Sequence, residues 1–193
     1  MIIGSAGTGK SELCKDIVNI APNSNGIFVI NNNTLAKYIM DSGYKATTPY
    51  SLLKIIPNDD KNAENHREIE KYDCIIIEEI FTLDQKMLAR IYKLMQKYPD
   101  KIWIANGDPY QLPCPDDDEC DISTKKCYVD FMFPNQLTLT KNRRFGHDDH
   151  IILEKFKNEI FRKGADLNKI VQKYFGKHIV NNMGYIKKFI SYT

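Results

Sequence analysis

The chain has 193 residues, a length that suits one folded domain or one with part of a second, and its 42% hydrophobic and 27% charged residues exclude both a disordered and a membrane-embedded chain. No apolar run reaches the roughly 20 residues needed to span a bilayer, and the amino end carries no secretory signal, so a soluble, intracellular protein without membrane contact is expected. The net charge of +2 is unevenly spread, with 15 basic and 20 acidic side chains in residues 1–140 against 12 and 5 in 141–193; the basic tail either meets phosphate backbones or is a solvated, lysine-bearing helix face.

Along the chain, short apolar runs alternate with amphipathic stretches, which predicts an α/β fold with a mainly parallel sheet and helices on both faces. Met1-Ile2-Ile3 reads as a first buried strand, followed by a helix over Glu12 to Ile20. Ile27 to Ile30, Cys74 to Ile77 and Ile102 to Ala105 are β-branched or apolar, as strands covered on both faces are, and form the expected sheet centre. Asn58 to Lys71 is polar, mixed in charge and opened by Pro57-Asn58-Asp59-Asp60, so an exposed excursion without chemistry is expected there. Leu83, Met87, Leu88, Ile91, Leu94 and Met95 recur at helical spacing and place one apolar stripe against the sheet. Trp103 lies inside a strand pattern and is expected in the core.

A second excursion is expected over Cys114 to Cys127, with the acidic run Asp116-Asp117-Asp118-Glu119 and three of the five cysteines. Their spacing matches no zinc pattern, and an odd total without a framework indicates reduced thiols. His147-Asp148-Asp149-His150 reads as a polar turn and helix start capped by Asp148 or Asp149 rather than as a metal site. Helices are expected over Ile151 to Phe161 and Leu167 to Phe175.

Gly4-Ser5-Ala6-Gly7-Thr8-Gly9-Lys10-Ser11 fits the phosphate-loop pattern G-x-x-x-x-G-K-[ST], between a short strand and a helical pattern. Its glycines permit successive N–H groups to point at phosphate oxygens, and the following helix N-terminus adds its positive end. Lys10 is expected to reach the β- and γ-phosphates of ATP, and Ser11 to sit in the coordination shell of Mg²⁺. Glu78-Glu79 directly follows the apolar strand Cys74 to Ile77, at the carboxyl end of the sheet where ligands bind. Glu78 is assigned to Mg²⁺ and Glu79 to the attacking water; a charged strand end capping the next helix is the alternative.

Trp103-Ile104-Ala105-Asn106-Gly107-Asp108-Pro109-Tyr110-Gln111-Leu112-Pro113 ends in a Gly-Asp-x-x-Gln-Leu-Pro signature. With the phosphate loop and Ile75 to Glu79, it resembles motifs I, II and III of superfamily 1 helicases, most closely the RecD-like branch. The resemblance implies a RecA-like fold, a γ-phosphate contact for Gln111, and a loop-fixing role for Asp108. Asn32 to Ile39 falls where motif Ia lies. Ala46-Thr47-Thr48-Pro49-Tyr50-Ser51-Leu52-Leu53 resembles the stretch that touches single-stranded DNA in that branch, which implicates Thr48 and Tyr50. Tyr50 stands in place of a histidine, either as a base-stacking aromatic or as a buried tyrosine with a hydrogen-bonded tip. Leu137 to Phe145 resembles motif IV and aligns Arg144 with the family arginine, which implies an arginine finger from an opposite domain. Glu78 departs from the family, where an aspartate is usual, and Arg143 stands where relatives have tyrosine.

The resemblance covers residues 1 to 162. It implies a RecA-like motor domain over 1–140 and, over 141–193, motif IV with the start of a truncated second motor domain or a helical tail. Motifs V and VI are not found, so a second chain supplying them is one expectation. The function implied is that of an ATP-hydrolysing helicase core acting on single-stranded nucleic acid, DNA favoured over RNA, in the 5′-to-3′ direction. The alternatives are a non-motor nucleotide-binding module and a viral RNA helicase; separately, the Ile-, Lys- and Asn-rich composition hints at an AT-rich genome of the kind common among large DNA viruses. A P-loop nucleoside kinase would explain Lys10 and Ser11 but not Gly107 to Pro113.

Overall fold

The computed structural model describes residues 1–20, 25–53, 67–111, 122–144, 147–160, 162 and 164–176. They divide into two compact units after Arg144. The first runs, in chain order, through β1 (Ile2–Gly4), α1 (Lys10–Ile20), β2 (Gly26–Ile30), α2 (Asn33–Asp41), β3 (Ala46–Thr47), α3 (Pro49–Leu53), α4 (Arg67–Glu70), β4 (Cys74–Glu78), a 3₁₀ turn (Ile80–Thr82), α5 (Gln85–Lys97), β5 (Ile102–Gly107), α6 (Ile122–Met132) and β6 (Leu137–Leu139). Among the described residues the strands form one six-stranded sheet in the order β3-β2-β4-β5-β1-β6, and every pairing is parallel.

Why the central strands read as unbroken apolar runs follows from the two layers that cover them. Side chains alternate across a sheet. Ile27, Val29, Ile75 and Ile77 meet Met87, Leu88, Ile91 and Leu94 of α5 on one face, while Phe28, Ile30 and Ile76 meet Cys14 of α1 and Ala36 and Ile39 of α2 on the other. Both residue parities are therefore buried, and all five residues of β4 are enclosed. The expected sheet centre matches β2, β4 and β5, the last extending to Gly107. Trp103 packs on the α5 face and donates its indole N–H to the Tyr98 carbonyl at 3.2 Å.

Several local expectations need correction. Leu83 is buried but precedes α5, because Asp84 caps the helix, its Oδ1 accepting from Met87 N at 2.6 Å; the apolar periodicity simply runs through the cap. Of the excursion expected over Asn58 to Lys71, residues 58–66 lie outside the described residues. The remainder contains α4, whose Ile69 is fully buried, so this end docks on the core. Of the stretch Cys114 to Cys127, residues 114–121 likewise lie outside. From Ile122 the chain is helical, and Val129 and Met132 reach the core. The acidic run masked the apolar spacing that follows it. Cys14 and Cys74 are buried thiols, and Cys127 is an exposed one.

The second unit contains α7 (His147–Ile160) and α8 (Leu167–Phe175). Phe156 meets Tyr174 and Phe175 edge-on, with ring centroids 5.7 and 4.9 Å apart. Asp166 caps α8 by accepting from Lys169 N at 3.1 Å. Because α7 already begins at His147, Asp148 and Asp149 lie in its first turn and not at the expected cap. Among the described residues no helix is long and apolar enough to cross a membrane.

The Asp84 cap predicts that Asp84→Ala destabilises the first unit by about 1 kcal/mol while Asp84→Asn keeps most of that stability. Urea unfolding followed by Trp103, the chain's one tryptophan, measures both; equal losses would remove the cap from the account.

Candidate functional site

The loop between β1 and α1 brings Gly4 to Ser11 to the carboxyl edge of the sheet. Gly7 and Gly9 have φ of +85° and +91°, a region that a Cβ resists. Thr8 closes the turn onto Ser5, its N–H and hydroxyl donating to the Ser5 carbonyl at 3.3 and 2.8 Å. Lys10 is 5% exposed, and its Nζ donates to the carbonyls of Gly4 at 2.8 Å and Ser5 at 3.4 Å. Its cation thus lies beneath the loop, next to the first-turn N–H groups of α1 that a helix leaves without internal partners.

Glu78 ends β4 with 1% exposure, and its Oε2 accepts from the Ser11 hydroxyl at 2.7 Å. An extended strand would send Glu79 to the opposite face. Instead Glu79 turns left-handed, at φ 52° and ψ 51°, a conformation that costs roughly 1–2 kcal/mol for a residue with a Cβ. Its Oε1 then lies 3.9 Å from Lys10 Nζ. Adjacent carboxylates are thereby aimed at the same loop. Burial pushes both above the ordinary carboxylate range. The Ser11 hydroxyl and Asn106 amide oppose this for Glu78, and Lys10 followed by Gln111 does so for Glu79. Glu79 has no side-chain capping bond; Asp84 does that work for α5.

Past β5, Asp108 ties the next turn, accepting from Tyr110 N at 3.0 Å through Oδ1 while its carbonyl accepts from Gln111 N at 3.1 Å. Gln111 thereby reaches a cleft of about 680 Å³ that it shares with Lys10, Ser11, Glu79, Arg143 and Arg144. Oε1 of Glu78, Oε2 of Glu79 and Oε1 of Gln111 are each buried without a hydrogen-bond partner, and each is an acceptor of the kind that water or a hard cation takes. Leu112 and Pro113 lie outside the described residues.

Sequence reasoning missed two asparagines. Asn142 Nδ2 donates to the Ala6 carbonyl at 2.7 Å, its Oδ1 accepts from Arg144 N at 2.8 Å, and Arg143 N donates to the Gly7 carbonyl at 2.8 Å. This segment leaves no room on Gly7, where a Cβ would lie 2.6 Å from Arg144 Cβ. Arg144 consequently belongs to the same unit as Lys10, not to an opposite domain as expected. Asn106, at the end of β5, accepts from Glu79 N through Oδ1 at 3.2 Å. Neither had a signal beyond lying inside a quoted motif. Thr48 and Tyr50 do not line the cleft. The Thr48 hydroxyl accepts from Ser51 N at 3.2 Å at the start of α3, and Tyr50 is 41% exposed, which removes the buried alternative.

Because burial raises the folded-state pKa of Glu78, the unfolded chain releases this proton first, and stability falls as pH rises from the ordinary carboxylate range through the raised value. Replacement by Gln removes that dependence. The melting temperature of Glu78→Gln minus that of the parent, without Mg²⁺, should therefore increase as pH rises through and above the ordinary carboxylate range. A pH-independent difference would refute it.

A family model for the AAA domain matches residues 1–115. Among solved structures, the chain is similar to Pif1 helicase from Candida albicans, at 21% identity over 81% of this chain and 39% of that one, with a TM-score of 0.59. It is also similar to Bacteroides Pif1 bound to ssDNA, at 22% over 81% and 42%, TM-score 0.56, and to Bacteroides sp Pif1 in complex with ADP-AlF4, at 21% over 81% and 41%, TM-score 0.55. No curated protein matches the chain. The chain spans about two fifths of the length of these structures, and at such identities the likeness establishes a shared RecA-like fold. With its phosphate loop, carboxylate pair and central strands all inside the matched residues 1–115, the chain belongs to the AAA domain family.

Proposed function

We propose that this chain is the ATP-binding and ATP-hydrolysing core of a superfamily 1 helicase of the RecD-like branch, acting on single-stranded nucleic acid, with DNA favoured over RNA. The observation that carries the reading is the convergence of Ser11 on Glu78 and Lys10 on Glu79 beneath one glycine-built loop. The Pif1 structures of similar fold, described as bound to ssDNA and to ADP-AlF4, support it.

In this reading the backbone of Gly4 to Ser11 cradles the phosphates and Lys10 neutralises the β and γ oxygens. The Ser11 hydroxyl and Glu78 would hold Mg²⁺, Glu78 standing where an aspartate is usual. When bound, Mg²⁺ supplies positive charge to the phosphate oxygens during transfer. Glu79 has a buried, unpartnered Oε2 and a pKa raised by burial, which suits it to accept the proton of the attacking water. Gln111 orients the γ-phosphate side of the cleft, and Arg144 offsets charge that develops on the transferring group. Tyr50, exposed beside the Thr48 cap, stacks on a base.

Hydrolysis of ATP by the purified chain with Mg²⁺ should rise when single-stranded DNA is added. Glu79→Gln should lower kcat by about 100-fold or more with nucleotide affinity retained, while Lys10→Ala should weaken nucleotide binding itself. Tyr50→Ala should weaken single-strand affinity by the roughly 1–3 kcal/mol that one stacked base contributes. Binding without turnover in the parent would instead identify the non-motor nucleotide-binding module, and stimulation by RNA alone would identify an RNA helicase.

A further inference from the structure

We propose that Asn106 is the positioning residue that holds the Glu79 carboxylate on the phosphate loop, by fixing the left-handed turn from which that side chain projects. The catalytic half of this inference rests on the proposed hydrolysis; the structural half stands on geometry alone.

Asn106 is completely buried on a strand that pairs with β1 at Ile2. A buried amide is retained only where both of its ends are bonded. Here Oδ1 accepts the Glu79 N–H at 3.2 Å and Nδ2 donates to Cys14 Sγ at 3.3 Å. The Glu79 N–H can be met only by an acceptor, so this bonding also determines which way the amide faces. Cys14 lies on α1, the helix that begins at the phosphate loop. One side chain therefore ties the element carrying the loop to the turn carrying the carboxylate.

Among the described residues, Glu79 alone adopts a positive φ without being glycine. Such a conformation persists only where its surroundings over-determine it, and here they do so on three sides. Asn106 takes the N–H of Glu79. Thr82 takes its carbonyl twice, through its own N–H and its hydroxyl, each at 2.8 Å. The following 3₁₀ turn sits directly on Gly107, where a Cβ would lie 2.9 Å from Phe81 Cδ2. Thr82 and Gly107 hold the turn from its far side, but Asn106 alone of these reaches the N–H that sets the rotation of Glu79 against β4. With that bond gone, the chain can continue toward extended geometry and swing the Glu79 side chain away from Glu78 and Lys10.

Asn106→Leu removes both bonds, and with them the amide's contact with Glu78, in a side chain of the same branched outline. With the folded fraction matched by circular dichroism, kcat at saturating ATP and Mg²⁺ is expected to fall by about 10- to 100-fold, the penalty of a misplaced group. Affinity for a fluorescent ATP analogue, measured without Mg²⁺, should stay within about three-fold. Asn106→Thr, whose hydroxyl is too short to reach Glu79, serves if the leucine variant does not fold. Independently of turnover, Glu79→Gly should raise the urea midpoint more with Asn106 present than in Asn106→Thr, since glycine relieves a conformation that only the intact clamp enforces. A kcat within about two-fold of the parent, an affinity falling in step with kcat, or an equal glycine shift in both backgrounds would each overturn the proposal. A parent chain that neither binds nor hydrolyses ATP would sink the proposed function instead, and the unfolding cycle would then decide the positioning role by itself.

Discussion

The structure depends on one awkward placement, a carboxylate at the buried end of a central strand. Glu78 is 1% exposed, and removing a charge from water costs several kcal/mol even after relaxation. The Ser11 hydroxyl and the Asn106 amide offset only part of this, which leaves the pKa raised. A sheet covered on both faces could have ended in another isoleucine at lower cost. That it ends in two acids, the second in a strained turn, fits the general pattern in which strain and unmet polarity gather where a ligand will later supply the missing partners.

The sheet was legible in the sequence because burial on both faces leaves a one-dimensional trace. Ile75, Ile76 and Ile77 can all be apolar only if α5 covers one parity and α1 and α2 the other. The phosphate loop was legible for a different reason. Its glycines and Lys10 are demanded by local conformation and by phosphate charge, so the requirement is written in consecutive residues. Ile69 and Val129 were not legible, because each lies beside a charged stretch whose polarity dominates any window that includes it, and their burial is settled by distant packing partners.

The same distinction separates the site residues. Lys10, Ser11 and the acid pair announce themselves by type and adjacency. Asn106 and Asn142 do not, since an asparagine in a strand end or a loop is unremarkable until its partners are known. Those partners are remote in sequence, Glu79 and Cys14 for one and Ala6 for the other. Sequence motifs thus expose the groups that meet a ligand more readily than the groups that aim them.

The two asparagines also divide the mechanical work of the cleft. Asn106 acts from below, where the sheet is rigid and a displacement would have to repack β5. Asn142 acts from above, through a segment that follows the short edge strand β6 and grips the loop by its backbone at Ala6 while Arg143 N–H grips Gly7. Edge strands and the segments after them open at lower free energy than central strands do. The acid pair therefore hangs on the central strand β4, and Arg143 and Arg144 on the segment after the edge strand β6, where local opening costs less.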